Sequence, residues 1–315
     1  MKVAFVGKGG SGKTTCASLF ALRAAATGAP VLALDADINQ DLAVALGATE
    51  ATAATLPTLP AHLGLIKEWL RGDNPRFTPE EMIKTTPPGR GSRLLRVVED
   101  NPVWDATLRE VSPGVRLGLA GTFDDADLGV ACFHAKTGAV ELLLNHLVDG
   151  PGEYVVVDMT AGADAFASGL FTRFDLTFLV CEPTQRSVGV YRQYAGYARD
   201  FGVRLAVVGN KVADADDAAF LRDEVGDDLV GVLSGSAHVR AGDRGAPRDV
   251  AGLEDANVAV LDRLRAAVDA VEKDWVRYQA DAVAMHRRNA DAWAGAALAD
   301  QVDPDFVPGR ETVTL

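Results

Sequence analysis

The stretch VAFVGKGGSGKTT, from Val3 to Thr15, decides the fold of this chain. A short apolar run ends at Gly7, and the next residues complete the phosphate-loop pattern GxxxxGK(S/T), which ends at Thr14. Glycines let such a loop curl tightly enough for several backbone N–H groups to face one polyphosphate. We therefore expect a buried strand, a phosphate-binding loop, and a helix that begins near Lys13 and points its positive dipole end at the phosphates.

Residues of the loop have separate chemical tasks. Lys13 is expected to reach the β- and γ-phosphates, and the Thr14 hydroxyl is expected to bind Mg²⁺. A glycine-rich turn that matches the pattern by accident is the alternative, but both flanking elements stand where the chemistry needs them. The predicted nucleotide-binding residues of this stretch are Gly9, Gly10, Ser11, Gly12, Lys13, Thr14 and Thr15.

Lys8 is a second lysine inside the loop, where it is badly placed to contact the nucleotide of its own subunit. The pattern KGGxGKT resembles the deviant Walker A signature of the MinD, ParA and nitrogenase iron protein family of ATPases. The resemblance implies that ATP is the nucleotide, that it drives formation of a homodimer, and that Lys8 crosses to the partner's nucleotide. A solvated loop lysine is the alternative interpretation of Lys8.

Two carboxylates follow the second predicted strand. Asp35 and Asp37 stand at the carboxyl end of that strand, where ligands bind in open α/β sheets. Phosphoryl transfer needs positioning and charge stabilisation at this place. By resemblance to the family's switch I, Asp37 orients the attacking water and Asp35 lies nearer the metal. Capping of a helix by Asp37 or Asn39 is the alternative.

Residues at the ends of two later predicted strands complete the predicted nucleotide-binding site. Asp158 and Gly162 form a DxxxG segment that resembles Walker B and switch II, in which the aspartate holds Mg²⁺ through water and the glycine N–H senses the γ-phosphate. Asn210 and Lys211 end another apolar strand, and the resemblance implies that the asparagine amide contacts adenine. The alternative for Asp158 is an ordinary aspartate between a strand and a loop, and the alternative for Asn210 is an asparagine that forms a turn.

The alternation of apolar runs with helical patterns predicts an α/β fold, with a doubly wound, mostly parallel sheet, a helical insertion and a C-terminal helix. We expect one ATPase domain over 1–273, which includes an insertion at 51–113 over the nucleotide side of the sheet, and a helical extension and tail at 274–315. The apolar face of the extension is expected to pack on its own domain or on a twin subunit. The predicted strands are 2–7, 31–35, 115–120, 154–158, 176–181, 204–209 and 229–233, and the predicted helices are 13–27, 136–148, 188–201, 215–225 and 255–273.

Composition narrows the classes of function. The net charge of −13 argues against DNA as a partner, because non-specific DNA binding depends on Lys and Arg. No apolar run approaches the roughly 20 residues of a membrane span, and acidic residues dilute the C-terminal helix, so we expect no membrane binding. The three cysteines are far apart and no signal-peptide pattern begins the sequence, so we expect a cytoplasmic protein without disulfides.

Several segments are most similar to the CooC-type nickel-insertion accessory ATPases of carbon monoxide dehydrogenase. These segments are LDADIN at 34–39, VDMTAG at 157–162 and VCEPT at 180–184, together with the strand, loop and helix at 117–147. In that branch a Cys-x-Cys pair in the loop lets two subunits hold one metal ion. Cys132 matches that pair and His134 replaces its second cysteine, a set that suits Zn²⁺ or Ni²⁺. A buried cysteine beside a solvent-facing histidine is the alternative.

These observations predict an Mg·ATP-dependent ATPase that acts as a dimeric switch. One hypothesis is a CooC-like accessory ATPase in the maturation of a metalloenzyme. A second is a positioning or scaffold ATPase, similar to MinD and ParA, that acts on a protein partner without metal. A third is a nucleotide-binding regulator with negligible hydrolysis. Phosphate-loop chemistry does not separate them.

Overall fold

The computed structural model describes residues 1–122, 133–162, 166, 169–246 and 248–309. The strands within these residues are β1 (Lys2–Gly7), β2 (Val31–Ala36), β3 (Leu95–Arg96), β4 (Arg109–Ser112), β5 (Val115–Leu119), β6 (Leu147–Val148), β7 (Tyr154–Met159), β8 (Leu176–Cys181), β9 (Leu205–Val212) and β10 (Leu229–Ser234). Eight of them form a central sheet in the order β10-β9-β8-β1-β7-β2-β5-β4, and β3 and β6 pair in a separate two-stranded sheet. All neighbours in the central sheet pair in parallel except β4, which runs antiparallel to β5 at one edge.

Helices cover both faces of this sheet, as the doubly wound prediction requires. The helices are α1 (Lys13–Ala26), α2 (Leu42–Ala45), α3 (Glu50–Ala53), α4 (Leu63–Arg71), α5 (Pro102–Thr107), α6 (Phe133–His146), α7 (Gln185–Phe201), α8 (Ala215–Val225), α9 (Ala237–Gly242), α10 (Asp255–Asp269), α11 (Trp275–Asn289) and α12 (Ala296–Ala299). Helices α3, α4 and α5 belong to the segment expected to be an insertion. A π-helical segment, Ala290–Ala294, continues α11.

Alternate residues of each central strand enter two different cores. In β2, Leu32 and Leu34 pack on the face that carries α6, α7 and α8, whereas Val31 and Ala33 pack on the face that carries α1 and α10. Every residue of β1, β2, β7 and β8 is buried. This explains why the strand sequences are continuously apolar, since a parallel sheet covered on both sides has no solvent-facing row.

The segment at 51–113 differs from its predicted position. We expected it over the nucleotide edge of the sheet, but most of it packs into the core on the α6 face, through Ile66, Leu70, Val103 and Trp104. Only its beginning lies near the nucleotide edge, where Thr58 bridges to Leu119 at the end of β5. Burial of these apolar side chains stabilises the fold by about 1.5–3 kcal/mol each, which favours their packing in the core over exposure to solvent.

Helix α11 packs on its own chain. The Tyr278 hydroxyl donates to the Leu144 carbonyl, and Gln279 Nε2 donates to the Pro88 carbonyl at 2.9 Å. Lys2 lies over the rings of Trp275 and Tyr278, with its Nζ atom 4.7 and 4.4 Å from their centroids. The C-terminal segment therefore contacts both the first strand and the segment at 51–113. No helix in the described ranges is long and apolar enough to cross a membrane.

Candidate functional site

Glycine conformations shape the phosphate loop between β1 and α1. Gly12 has φ of 92° and directly precedes α1, and an added Cβ would overlap the Asn210 amide. Gly7 has φ of 148°, and a Cβ there would lie 2.6 Å from the Val180 carbonyl oxygen. L side chains rarely adopt these conformations, and the close approaches leave no space for them. The loop therefore depends on glycine at both ends.

Lys13 lies at the start of α1 with only 6% of its surface exposed. Its Nζ atom is 3.8 Å from Asp37 Oδ2, so two residues predicted to act on the γ-phosphate lie together. Both line a cavity of about 570 Å³. The other residues of that cavity are Gly9, Gly10, Gly12, Thr14, Thr15, Ile38, Asn39, Asp41, Thr160, Ala161 and Lys211.

Asp158 and Thr14 form the candidate Mg²⁺ site. Thr14 Oγ1 donates to Asp158 Oδ2 at 2.6 Å, and Asp158 Oδ1 is buried without a hydrogen-bond partner among the described residues. Burial raises the pKa of the Asp158 carboxyl well above its usual range, and the charges of Asp37 and Asp41 add to the effect. A cation here would relieve this repulsion and occupy the free oxygen, directly or through water, so these residues fit Mg²⁺.

Asp35 braces the loop that follows β2. It is fully buried, Oδ1 accepts from the Asp37 N–H at 3.1 Å, and Oδ2 accepts from the Leu42 N–H at 2.9 Å. Burial and the neighbouring Asp158 raise the pKa of this carboxyl. Both oxygens of Asp35 therefore have hydrogen-bond donors within the loop, and its place nearer the metal than Asp37 stays a prediction.

The loop that follows Asp35 is held by local hydrogen bonds. Asp37 Oδ1 accepts from the backbone and side-chain N–H groups of Asn39, at 3.1 and 3.2 Å. The helix that follows has Asp41 at its N-cap position, so neither Asp37 nor Asn39 caps it. Gln40 adopts φ of 53°, donates to the Asp37 carbonyl and accepts from the Gly121 N–H at 3.1 Å. Sequence reasoning missed Gln40, because its partner is 81 residues away.

Asn210 and Lys211 contact the phosphate loop. Asn210 Nδ2 donates to the Ser11 carbonyl at 2.7 Å, so the amide predicted to contact adenine also braces the loop. Lys211 has φ of 58°, and its Nζ atom donates to the Gly10 carbonyl at 2.6 Å and to Glu182 Oε1 at 2.8 Å.

Lys8 lies at the mouth of the loop and is 35% exposed. Its Nζ atom is 3.6 Å from Glu182 Oε2 and 3.4 Å from the Gly9 carbonyl oxygen. One carboxylate thus faces two lysines, Lys8 and Lys211. Sequence reasoning identified both lysines but assigned no role to Glu182, since nothing in the order of residues pairs positions so far apart.

The remaining predicted residues fall partly outside the described chain. Gly162 follows β7 with φ of 78°, and no atom of the described residues lies within 4 Å of the place where a Cβ would be. Cys132 lies outside the described residues, as does the side chain of His134, so the predicted transition-metal site stays a prediction. In the described part of the chain, no three His, Cys, Asp or Glu side chains converge on a metal position.

Solved structures of ParA and MinD proteins share this fold. A ParA family ATPase from Chlorobium tepidum aligns with a TM-score of 0.59 and 15% identity, over 84% of this chain and 97% of that one. MinD from Pyrococcus horikoshii with Mg-ADP aligns with a TM-score of 0.55 and 15% identity, over 85% and 98%. One chain of the MinC:MinD cell division protein complex of Aquifex aeolicus aligns with a TM-score of 0.53 and 18% identity, over 87% of this chain and 97% of that one. These similarities show that the chain has the P-loop fold of the ParA and MinD proteins.

Sequence relatives narrow this class to a family. The chain is 31% identical over 246 residues to the carbon monoxide dehydrogenase accessory protein CooC of Rhodospirillum rubrum, which covers 78% of this chain and 87% of that protein. It therefore belongs to the CooC family of ATPases. It is also 29% identical over 235 residues to an ATP-binding protein of Methanocaldococcus jannaschii, over 73% of this chain and 81% of the relative. No family model matches the sequence.

Proposed function

We propose that this ATPase is an Mg·ATP-dependent switch in which two copies of the chain enclose the nucleotides between them. The observation that carries the proposal is the different placement of the two loop lysines. Lys13 is buried and faces Asp37 inside the cavity, whereas Lys8 is exposed at the mouth and pairs with Glu182. A lysine at that place is suited to a nucleotide bound by another subunit.

Residues in and beside the cavity have separate roles in hydrolysis. Lys13 would bind the β- and γ-phosphates, Thr14 and Asp158 would hold Mg²⁺, and Asp37 would orient the attacking water. Bound with ATP, Mg²⁺ supplies positive charge to the phosphate oxygens. Asp37 suits its task because one oxygen is fixed by Asn39 while the other faces the cavity and Lys13.

The proposed client is a metalloenzyme, and the cargo is a transition metal such as nickel. Membership of the CooC family supports this, since the relative in Rhodospirillum rubrum is an accessory protein of carbon monoxide dehydrogenase. Cys132 and His134 from each of two subunits would provide four ligands for Ni²⁺ or Zn²⁺.

A second candidate is a MinD-like positioning ATPase that binds a protein partner without metal. The replacement of the second cysteine of the Cys-x-Cys pair by His134 favours it, as does the structural similarity to the MinC:MinD complex. Exposed Tyr197 and Phe201 on α7 provide an apolar surface for such a partner.

Light scattering with bound-metal analysis in the same fractions tests the proposal. We expect a monomer with ADP, a dimer with ATP, and a dimer that persists in Asp37→Ala because hydrolysis no longer ends it. The matched control is Asp262→Ala, which removes a carboxylate that pairs with Arg23 at 2.8 Å and is not among the residues that line the nucleotide cavity, so hydrolysis and ATP-dependent dimerisation should stay unchanged.

Two outcomes separate the candidates. One metal ion per dimer, lost in Cys132→Ala, would support the metalloenzyme client, whereas a metal-free dimer would favour the positioning ATPase. A monomer in every nucleotide state would overturn the switch itself, together with the role of Lys8.

A further inference from the structure

Glu182 connects the two lysines at the mouth of the phosphate loop. It directly follows β8, its side chain is only 15% exposed, and its two oxygens face different lysines. Oε2 is 3.6 Å from Lys8 Nζ, and Oε1 is 2.8 Å from Lys211 Nζ. The carboxylate is therefore anchored by Lys211 and has its second oxygen free to hold Lys8.

The structure assigns Glu182 as a counter-ion that holds Lys8 within its own subunit and so opposes ATP-dependent dimerisation. This inference rests on the proposed function, in which Lys8 must reach the nucleotide of the partner. Glu182 is a positioning residue, because it acts on the switch through Lys8.

Lys211 lowers the free energy that is needed to separate Lys8 from Glu182. Its Nζ atom also donates to the Gly10 carbonyl at 2.6 Å, so it stays beside the loop when Lys8 leaves. Glu182 then keeps one close cation, and no carboxylate is left unpaired in a partly buried place. By contrast, a carboxylate with Lys8 as its single partner would resist separation more strongly, and the dimer would form less readily.

The size of the effect follows from the exposure of the pair. Lys8 is 35% exposed, and an ion pair of this kind changes an equilibrium by about twofold to fivefold. Each dimer requires that two such pairs open, one in each subunit. We therefore expect Glu182→Gln to lower the dissociation constant of the ATP-bound dimer by about fourfold to 25-fold.

The substitution Glu182→Gln is conservative for the rest of the site. Glutamine retains the length of the side chain and an oxygen that accepts from Lys211, but it removes the charge that holds Lys8. Glu224→Gln is the matched control. Glu224 pairs with Arg192 on the surface between α7 and α8, accepts from Gln185 Nε2 at 3.3 Å, and is 21% exposed. Its partners among the described residues include neither Lys8 nor Lys211.

The first measurement tests the ion pair in the nucleotide-free protein. Amine labelling with acetic anhydride, read by peptide mass spectrometry, reports how freely Lys8 reacts. We expect labelling of Lys8 to rise by about twofold or more in Glu182→Gln and to stay unchanged in Glu224→Gln. Unchanged labelling in Glu182→Gln would overturn the inference, because Lys8 would then not be held.

The second measurement is the dimer dissociation constant in Mg²⁺ and a non-hydrolysable ATP analogue, by sedimentation at several salt concentrations. Tighter dimerisation of Glu182→Gln, with a difference that shrinks as salt rises, would support the inference. A residue with a merely structural role would not tighten the dimer when replaced. If Glu182→Gln dimerises as weakly as the unmodified chain, or more weakly, the inference is overturned.

Failure of the inference and failure of the proposed function give different results. If the unmodified chain dimerises and Lys8→Ala prevents this, but Glu182→Gln changes nothing, the switch stands and the role of Glu182 is wrong. If the unmodified chain and Glu182→Gln both stay monomeric with the analogue at every concentration, the switch is wrong and the inference falls with it.

Discussion

Single residues of the site depend both on their own backbone conformation and on a contact with a residue far away in the sequence. Gly12 has a positive φ and lies directly against the Asn210 amide, which in turn donates to the Ser11 carbonyl. The sequence motif identifies Gly12, Lys13 and Thr14, because the motif encodes local backbone shape. It does not identify Glu182, whose partners become neighbours only when β8 and β9 stand beside β1.

We expect Gly12→Ala to weaken ATP binding by at least about tenfold, since the new methyl group must displace Asn210 and the backbone is strained at positive φ. Titration calorimetry with ATP measures this. The same change at Gly189 is the control: this exposed glycine of α7 has no atom within 4 Å of an added Cβ, and alanine there should stabilise the helix by about 0.5–1 kcal/mol. Unchanged affinity in Gly12→Ala would contradict the role of this close contact.

At the scale of elements, sequence patterns locate the central strands well. The seven predicted strands occur, and the four central ones, β1, β2, β7 and β8, are continuous runs of residues that are buried on both faces. The edge strand β10 is mostly half-buried, but its sequence is still apolar enough to be recognised. Strand β4 was not predicted: three of its four residues, Arg109, Glu110 and Ser112, are polar, and half of the strand is exposed. It pairs only because the turn at Gly114 folds it back onto β5. The packing of 51–113 was also not predicted, since its buried residues are dispersed among Pro and Gly.

Helix α6 contains a buried histidine that makes stability depend on pH. His146 is fully buried, and this burial lowers its pKa to about 4 from an ordinary value of 6.5. Its Nδ1 atom lies 3.0 Å from the Leu142 carbonyl oxygen, and its Nε2 atom has no partner among the described residues. Below pH 6.5 the unfolded chain therefore takes up the proton first, and stability is lost as the pH falls towards 4.

Between pH 7.5 and pH 5, we expect His146 alone to reduce the free energy of unfolding by about 2 kcal/mol. Burial raises the pKa of Glu141 to about 7, which acts in the opposite direction between about pH 4.5 and 7. The informative quantity is therefore the difference between the unmodified chain and His146→Gln, in urea unfolding at both pH values. A difference that does not change with pH would show that His146 is not buried as a neutral side chain.

At the scale of the whole molecule, charges tie the two ends of the chain together. Asp149 is buried beside three cations: the amino terminus at 2.7 Å, Lys2 Nζ at 2.8 Å and Lys273 Nζ at 2.7 Å. Burial acts to raise the pKa of Asp149, but Lys2 and Lys273 outweigh it and hold that pKa well below its usual range. The contribution of this carboxylate to stability is therefore present at neutral pH and lost only in acid, below about pH 4.

Helix α11 completes this arrangement, so the extension cannot be removed without affecting the fold. Arg173 is buried, donates to the Tyr278 carbonyl at 3.0 Å and lies 4.2 Å from the Tyr278 ring centre. Deletion of 275–315 would leave this guanidinium without those contacts and would expose the apolar surface beneath Tyr278 and Val283. We expect the free energy of unfolding to fall by at least about 3 kcal/mol, as measured by urea unfolding.

A test of partner binding by this helix therefore needs a substitution in the full chain. Val276 is 54% exposed, and Val276→Ser should change stability by less than about 0.5 kcal/mol. If the deletion and Val276→Ser prove equally stable, the packing of α11 on its own chain is wrong. If the chain without 275–315 is much less stable while Val276→Ser is stable, then failure of the shortened chain to bind a partner shows only that its fold is disrupted. Loss of that partner in the stable Val276→Ser chain would then identify α11 as its binding surface.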